Sequence, residues 1–236
     1  MTLDYGFIVS SFFKILEALP LTLVITVVPL IFGFGIGLLT AFIRLYQVPV
    51  LHPLSSFYVS FVRGTPMLLH LFLIYYGVPM IIDKLSQHYG WGITSASVPI
   101  LVFVILAFSL TAGAYMSEII RSGILAVDPG QMEAAQAVGM SASQTMYRIV
   151  LPQAIGAVLP NLCNMFVGFL HGSTLAFTVS QMDILGKADV VASVSLKFLE
   201  AFIAAAVIYW VLTVIVERLT ALLERRVALY SKGGVS

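Results

Sequence analysis

The chain has 236 residues, of which 60% are hydrophobic and 10% are charged, and its formal net charge is +1. Soluble domains are about one quarter charged and at most about half apolar, so this composition excludes a soluble globular protein and indicates an integral membrane protein. The single cysteine, Cys163, excludes an intramolecular disulfide. No cluster of cysteine and histidine has metal-ligand spacing, and we therefore expect no metal site.

Five apolar segments are long enough to cross a bilayer, which requires about 20 predominantly apolar residues of helix. They cover residues 18–43, 66–82, 98–120, 154–170 and 198–216. Pro160 is expected to break the fourth helix. Residues 5–17 carry apolar side chains at mixed helical spacing with Lys14 and Glu17, which predicts a helix in the membrane interface. We therefore predict an all-α integral membrane protein, a single domain over residues 1–236, with five transmembrane helices and an N-terminal interfacial helix.

The basic residues are distributed unevenly between the two sides of these segments. Eight lie on one side, namely Arg44, Arg63, Arg121, Arg148, Arg218, Arg225, Arg226 and Lys232. Four lie on the other side, namely Lys14, Lys84, Lys187 and Lys197. Loops rich in lysine and arginine stay in the cytoplasm, so we predict an external N-terminus, a cytoplasmic C-terminus and a cytoplasmic loop over residues 121–148.

A polar stretch, DPGQMEAAQAVGMSASQTMYRIVLP, occupies residues 128–152 between the third and fourth segments. Asp128 predicts a helix N-cap, with Gln131 as its capping-box partner. Gly139 predicts a left-handed stop at the end of this helix. Ser141 begins a second capping box and a second short helix. The stretch therefore predicts a helix-turn-helix loop on the cytoplasmic side.

The first helix of this loop is expected to present small side chains and one carboxylate to a partner. The residues on its exposed side are Glu133, Ala134, Ala135 and Ala137. The alternative is a plain cytoplasmic linker, in which the caps only satisfy the backbone groups at the helix ends. Here the sequence EAA, three further residues, Gly139, nine further residues and IVLP at 149–152 occur in one register. This register resembles the EAA loop of the membrane subunits of ABC importers.

The resemblance covers nearly the whole chain. The stretches FYVSFVRGTPMLLHLFLIYYGVP (57–79) and LPNLCNMFVGFL (159–170) resemble the polar amino acid uptake permeases, a branch with five spans. Ser60 and AAAVIYWV (204–211) are similar to cystine-type members. Two positions depart from the family pattern: His70 stands in place of a glutamine, and HGSTL (171–175) stands in place of Lys-Asp-Thr-Ser-Leu.

The resemblance implies a permease subunit of an ATP-driven ABC importer in the bacterial cytoplasmic (inner) membrane. Such a subunit carries a polar amino acid, with L-cystine a candidate here. It pairs with a second permease, identical or homologous, and receives substrate from an extracytoplasmic solute-binding protein. The loop would be the coupling helix, which contacts an ATPase subunit through Glu133, Ala134, Ala135, Gly139 and Ser141.

Energy must come from another chain, because the only Gly-Lys pair, Gly186-Lys187, lacks the upstream glycine of a phosphate-binding loop. ATP and Mg²⁺ would bind the partner ATPase, and we expect no cofactor on this chain. We also expect no enzymatic activity and no nucleic-acid partner. The remaining partner is membrane lipid.

Polar residues within the spans are candidates for the substrate pathway, because lipid offers them no hydrogen-bond partner. These are His70, Thr111, Asn161 and Asn164, with His171 and Ser173 at the outer end of the fourth span. The alternative is hydrogen bonding between helices, which stabilises by about 0.6 kcal/mol on average. The pathway is favoured for the two asparagines and the alternative for Thr111, while both interpretations stay open for His70.

Arg63 is a candidate for a gate at the cytoplasmic side or for a contact with Glu118. The alternative for Arg63 is an anchor that follows the positive-inside rule. Glu118 and Arg121 are three residues apart on one helix and are expected to pair. Thr65 and Pro66 have the pattern of an N-cap and a first helical residue.

Two other classes of protein fit the sequence less well. An ion-coupled secondary amino acid transporter would need internal repeats or acidic residues at mid-membrane, whereas Glu118 and Glu200 lie near span ends. An intramembrane enzyme would need a catalytic constellation such as G-x-S-x-G, which the sequence lacks.

Overall fold

The computed structural model describes residues 3–232, with side chains up to residue 226. All regular structure in this range is helical. The α-helices are α1 (Tyr5–Leu16), α2 (Leu19–Leu45), α3 (Leu51–Gly64), α4 (Met67–Tyr89), α5 (Ile100–Leu125), α6 (Pro129–Ala137), α7 (Ala142–Thr145), α8 (Leu151–Gly172), α9 (Ile184–Ser195) and α10 (Phe198–Lys232). Short 3₁₀ helices occupy Ser95–Ser97 and Ser173–Val179, and a π-helical turn covers Met146–Val150.

Five helical segments are long and apolar enough to cross a membrane, which confirms the predicted number of spans. They are Leu19–Leu45, Met67–Tyr89, Ile100–Leu125, Ala142–Val179 and Phe198–Arg226. The fourth corrects the sequence analysis, because the helix continues through Pro160. A proline inside a long transmembrane helix removes one backbone hydrogen bond while the neighbouring turns stay intact.

Helix α3 was not predicted from the sequence. Val59 and Val62 of this helix pack against Ala114 of α5. The helix ends at Gly64, and Thr65 is extended before Pro66, as the steric effect of proline on the preceding residue requires. Thr65 is therefore the C-terminal cap of α3 and does not cap α4 through its side chain, so the expected N-cap is wrong.

Helices α2 and α5 run side by side and form the centre of the core. Gly37 makes their close contact possible, since a Cβ atom there would lie 2.7 Å from the Cβ of Met116. Ile25, Leu71 and Phe108 are among the buried residues of this core, to which α4 and α8 also contribute.

Helix α1 is a helix as predicted, and it packs against α9 and α10 through a second apolar cluster that includes Ile15. Two ion pairs fasten its ends. Lys197 Nζ lies 2.6 Å from Asp4 Oδ2, and Lys187 Nζ lies 2.9 Å from Glu17 Oε2. Its place in the membrane interface stays a prediction.

Candidate coupling loop and translocation site

The loop between α5 and α8 has the local conformation that its sequence predicts. The Asp128 carboxylate caps α6, as predicted, by accepting a 2.8 Å hydrogen bond from the Gly130 N–H. The expected capping box with Gln131 is wrong, because the carboxylate bonds the residue before it. Gly139 has a φ of +87°, and the Met140 N–H donates to the Ala135 carbonyl at 3.1 Å. This pattern is a Schellman motif, so the predicted left-handed stop is confirmed.

The second half of the loop is part of the fourth span. Ser141 forms a reciprocal capping box with Gln144, as predicted. The predicted second helix begins there as α7, passes through the π turn Met146–Val150 and is continuous with α8. Val150 is buried against Val127, which follows the end of α5. The residues after Gly139 are therefore packed against the third span and continuous with the fourth.

The exposed face of α6 differs in one residue from the predicted face. Glu133, Ala134 and Ala137 are exposed, whereas Ala135 is only 6% exposed. Ala135 faces inwards because α6 lies against the π turn, so its expected exposure is wrong. Val138 is 80% exposed, and the sequence analysis did not select it. An apolar side chain at a cap position within a polar loop is the signal that could have found it.

Glu118 joins three helices at the end of the bundle that carries α6, which we call the loop end. Arg44, in the last turn of α2, donates a hydrogen bond to Oε1 of Glu118. This partner of Glu118 was not predicted. Arg121 donates to Oε2 from Nη2 at 3.0 Å, which confirms the expected pair. Arg63, in the last turn of α3, lies 3.8 Å from Oε1. The expected contact of Arg63 with Glu118 is thus an ion pair without a hydrogen bond.

His70 and Thr111 lie together between α4 and α5. His70 Nδ1 lies 3.0 Å from Thr111 Oγ1, and His70 Nε2 lies 2.7 Å from Thr65 Oγ1. Both side chains are buried. The geometry agrees with hydrogen bonding between helices, and a contact of either residue with substrate stays a prediction.

Asn161 and Asn164 lie exposed on α8, apart from the His70 pair. Neither amide makes a side-chain hydrogen bond to another residue in the described range 3–226. An exposed amide at membrane depth requires a polar partner, which an aqueous path or a second subunit would provide. Their role in the pathway stays a prediction.

His171 and Ser173 meet at the other end of α8 around Tyr209. His171 Nε2 lies 3.0 Å from Thr213 Oγ1, and its ring packs edge-on against Tyr209. Ser173 is buried, and its hydroxyl donates to the Leu170 carbonyl at 2.8 Å. Ser173 is thus held within the bundle, while His171 is exposed at its edge, and the contact of either residue with substrate stays a prediction.

Asp183 completes this outer cluster, and the sequence analysis missed it. Its side chain is 0% exposed, it accepts from the Gly186 N–H at 2.9 Å, and the Tyr209 hydroxyl donates to Oδ2 at 2.9 Å. Burial raises the pKa of this carboxyl group, while the two hydrogen bonds oppose that rise. An acidic residue directly before an apolar helix was the signal for an N-cap at this position.

Five membrane-length helices and an exposed, capped loop define a helical membrane protein. Residues 33–229 match the family of the binding-protein-dependent transport system inner membrane component. The chain belongs to this family, and it is therefore a multi-pass permease subunit of a transport system. The resemblance to ABC permeases found in the sequence is confirmed.

Relatives that are named as amino-acid permeases align with nearly the full chain. The probable amino-acid permease protein YxeN of Bacillus subtilis (strain 168) is 41% identical over 224 residues, which are 95% of this chain and 96% of the relative. The L-cystine transport system permease protein TcyL of the same organism is 36% identical, over 89% of this chain and 85% of the relative. A crystal structure of an amino acid ABC transporter with histidines has a TM-score of 0.81 at 33% identity, with 96% of this chain and 100% of that chain covered.

Proposed function

We propose that the chain is the permease of an ATP-driven importer for a polar amino acid. The observation that carries this proposal is the loop geometry: a capped helix, α6, presents an exposed carboxylate and small side chains, and the next helix is continuous with a span. Relatives named as amino-acid permeases over nearly the whole chain support the substrate class.

The loop geometry suggests how ATP hydrolysis on a partner would move the spans. A groove on the ATPase would hold α6 through Glu133, Ala134 and the exposed Val138. Closure of two ATPase subunits would displace α6, and the capping box at Ser141 would transmit the displacement to α8. Val150 and Val127 link the same motion to α5. Access to the pathway would then alternate between the two sides of the membrane.

The other partners follow from this arrangement. The loop end would face the cytoplasm, because most basic residues lie there. A second permease, identical or homologous, would enclose the path together with the exposed amides of Asn161 and Asn164. A solute-binding protein would deliver substrate at the opposite end. ATP and Mg²⁺ would be bound by the ATPase alone.

L-cystine is the narrower candidate for the substrate. Two relatives, TcyL and TcyB, are named as L-cystine permeases and are 36% and 34% identical to this chain. An ion-coupled transporter is not proposed, because the family depends on binding proteins and the charged cluster at Glu118 lies near the loop end.

The test is reconstitution of the permease with the ATPase and the binding protein encoded beside it. Vesicles should accumulate radiolabelled L-cystine, L-glutamine or L-histidine only when ATP is supplied on the ATPase side. Uptake that follows an ion gradient without ATP would contradict the proposal. Saturable uptake of L-glutamine or L-histidine, with none of L-cystine, would retain the importer and reject the cystine assignment.

A further inference from the structure

Three guanidinium groups surround Glu118, and two of them donate hydrogen bonds to its carboxylate oxygens. Arg44 bonds Oε1, and Arg121 donates to Oε2 from Nε at 3.3 Å and from Nη2 at 3.0 Å. The Nη1 atom of Arg63 lies 3.8 Å from Oε1, beyond hydrogen-bond distance. Three positive charges therefore face one negative charge, and the group with the weakest hold on it is Arg63.

The donors of Arg63 are free to bind an anion. A guanidinium group has five N–H donors, and in the described residues none of those of Arg63 makes a hydrogen bond. The side chain is 48% exposed, and its Cζ atom lies 6.0 Å from the centroid of the Tyr115 ring. Glu118 attracts the group from one side and the Tyr115 ring lies on another, so the guanidinium group stays close to this cluster while its donors remain free.

Arg63 lies at the loop end, and its neighbours extend from there towards the middle of α5. Tyr115 lies ten residues before the end of α5 at Leu125, which is about 15 Å along the helix axis. Tyr58, five residues before Arg63, donates to the Leu110 carbonyl near the middle of the same helix. A half-exposed guanidinium group at this place can reach a ligand that passes between the bundle interior and the loop end.

We propose that Arg63 binds the α-carboxylate of the transported amino acid near the loop end of the bundle. This inference rests on the proposed import function and assigns one residue of the pathway. A planar guanidinium with free donors matches a carboxylate in bidentate geometry. A carboxylate that leaves water also requires a cation nearby, which the surplus charge of this cluster supplies. Glu118 keeps its two hydrogen-bonded partners when Arg63 turns towards the substrate.

The test measures binding to the permease–ATPase complex in nanodiscs without the binding protein, so that only a membrane site is observed. The probes are radiolabelled L-cystine, L-glutamine and L-histidine, each compared with its carboxyl-free amine: cystamine, 4-aminobutanamide and histamine. The variant is Arg63→Gln, which leaves Glu118 paired with Arg44 and Arg121. The matched control is Arg218→Gln, which removes one exposed positive charge from α10.

The wild-type complex should bind at least one amino acid roughly 10 to 100 times more tightly than its amine, the range expected for hydrogen bonds to a charged group. Arg63→Gln should remove this preference by weakening only the amino acid, and Arg218→Gln should retain it. The proposal is overturned if Arg63→Gln retains the preference, if it weakens acid and amine equally, or if the wild-type complex binds none of the three acids.

A lipid phosphate is the competing anion, and a second measurement detects it. Mass spectrometry of the complex purified from mixed phosphatidylglycerol and phosphatidylcholine should find the same lipid ratio for wild type and Arg63→Gln. Loss of phosphatidylglycerol in the variant, with the amino acid preference intact, would overturn the proposal in favour of a lipid site. ATP-driven uptake by wild-type vesicles tests the import function independently of the binding measurement and of the lipid measurement.

Discussion

The backbone N–H of Met140 donates a 3.1 Å hydrogen bond to the carbonyl oxygen of Ala135 across the left-handed residue between α6 and α7. This bond ends α6 and directs the chain into the capping box at Ser141. The direction of α6 relative to α8 is therefore fixed by backbone geometry at Gly139. A loop that transmits force needs this fixed direction, because a flexible joint would absorb the displacement.

Gly139→Val should uncouple the ATPase from transport. A β-branched residue in the left-handed region costs about 1–2 kcal/mol, or else the chain leaves this conformation and α6 changes direction. We expect normal membrane abundance, with uptake and binding-protein-stimulated ATP hydrolysis both reduced at least about tenfold. Gly35→Val is the matched control, because it makes the same substitution at an exposed glycine with helical backbone in α2, where an added Cβ meets no atom within 4 Å. Full stimulation in Gly139→Val would contradict a coupling role of the turn.

Glu133→Lys should weaken the contact between the permease and its ATPase. The Glu133 carboxylate is exposed on α6, and charge reversal would create repulsion against a basic or amide group on the partner. The expected result is loss of the ATPase from pull-downs at physiological salt, with Glu133→Gln intermediate. Glu217→Lys reverses an equally exposed charge on α10 and should retain the ATPase. Equal retention by both lysine variants would exclude α6 as the docking element.

The parts of the structure that the sequence predicted depend on local chemistry. The cap at Asp128 and the stop at Gly139 each involve residues within a few positions, and apolar length alone identifies the five spans. Burial of Ala135 and the bond between Arg44 and Glu118 depend on how distant helices pack. Such long-range contacts leave no periodic pattern in a chain this apolar, so they could not be read in advance.

Asn161→Leu and Asn164→Leu should reduce uptake while the permease–ATPase complex stays assembled. Both amides are exposed on α8, and an apolar side chain would remove a polar group from the proposed path. We expect at least about a fivefold loss of initial uptake rate, since one hydrogen bond contributes about 1 kcal/mol. Asn164→Gln, which keeps the amide, should lose less. Normal uptake by both leucine variants would assign the asparagines to packing.

The predicted orientation can be tested with single cysteines in a Cys163→Ala background. Ala137→Cys lies on the exposed face of α6 and should react with a membrane-impermeant maleimide only after the cells are opened. Val194→Cys, exposed on α9, should react in intact cells. The reverse pattern would place the loop end outside and would contradict the positive-inside assignment.

Asp183 offers a test of the outer cluster through the pH dependence of stability. Its carboxylate is fully buried, caps α9 through the Gly186 N–H and accepts from the Tyr209 hydroxyl. Burial raises its pKa in the folded chain above the ordinary value of 3.8. The folded chain therefore binds this proton more tightly than the unfolded chain does, and protonation of Asp183 favours folding.

This sign predicts that the contribution of Asp183 to stability increases as the pH falls through the raised pKa, and that it levels off below the ordinary value. Asp183→Asn should remove this increase, because the neutral amide keeps an oxygen for the N-cap and for Tyr209 without a charge to bury. Asp183→Ala should be less stable than the wild type and Asp183→Asn at every pH, by about 1–3 kcal/mol. The reason is that it leaves the Gly186 N–H and the Tyr209 hydroxyl without an acceptor. The measurement is the surviving monodisperse fraction of the purified complex after heating, from pH 4 to pH 8. A pH profile of Asp183→Asn identical to that of the wild type would show that this buried carboxyl group does not titrate with unfolding.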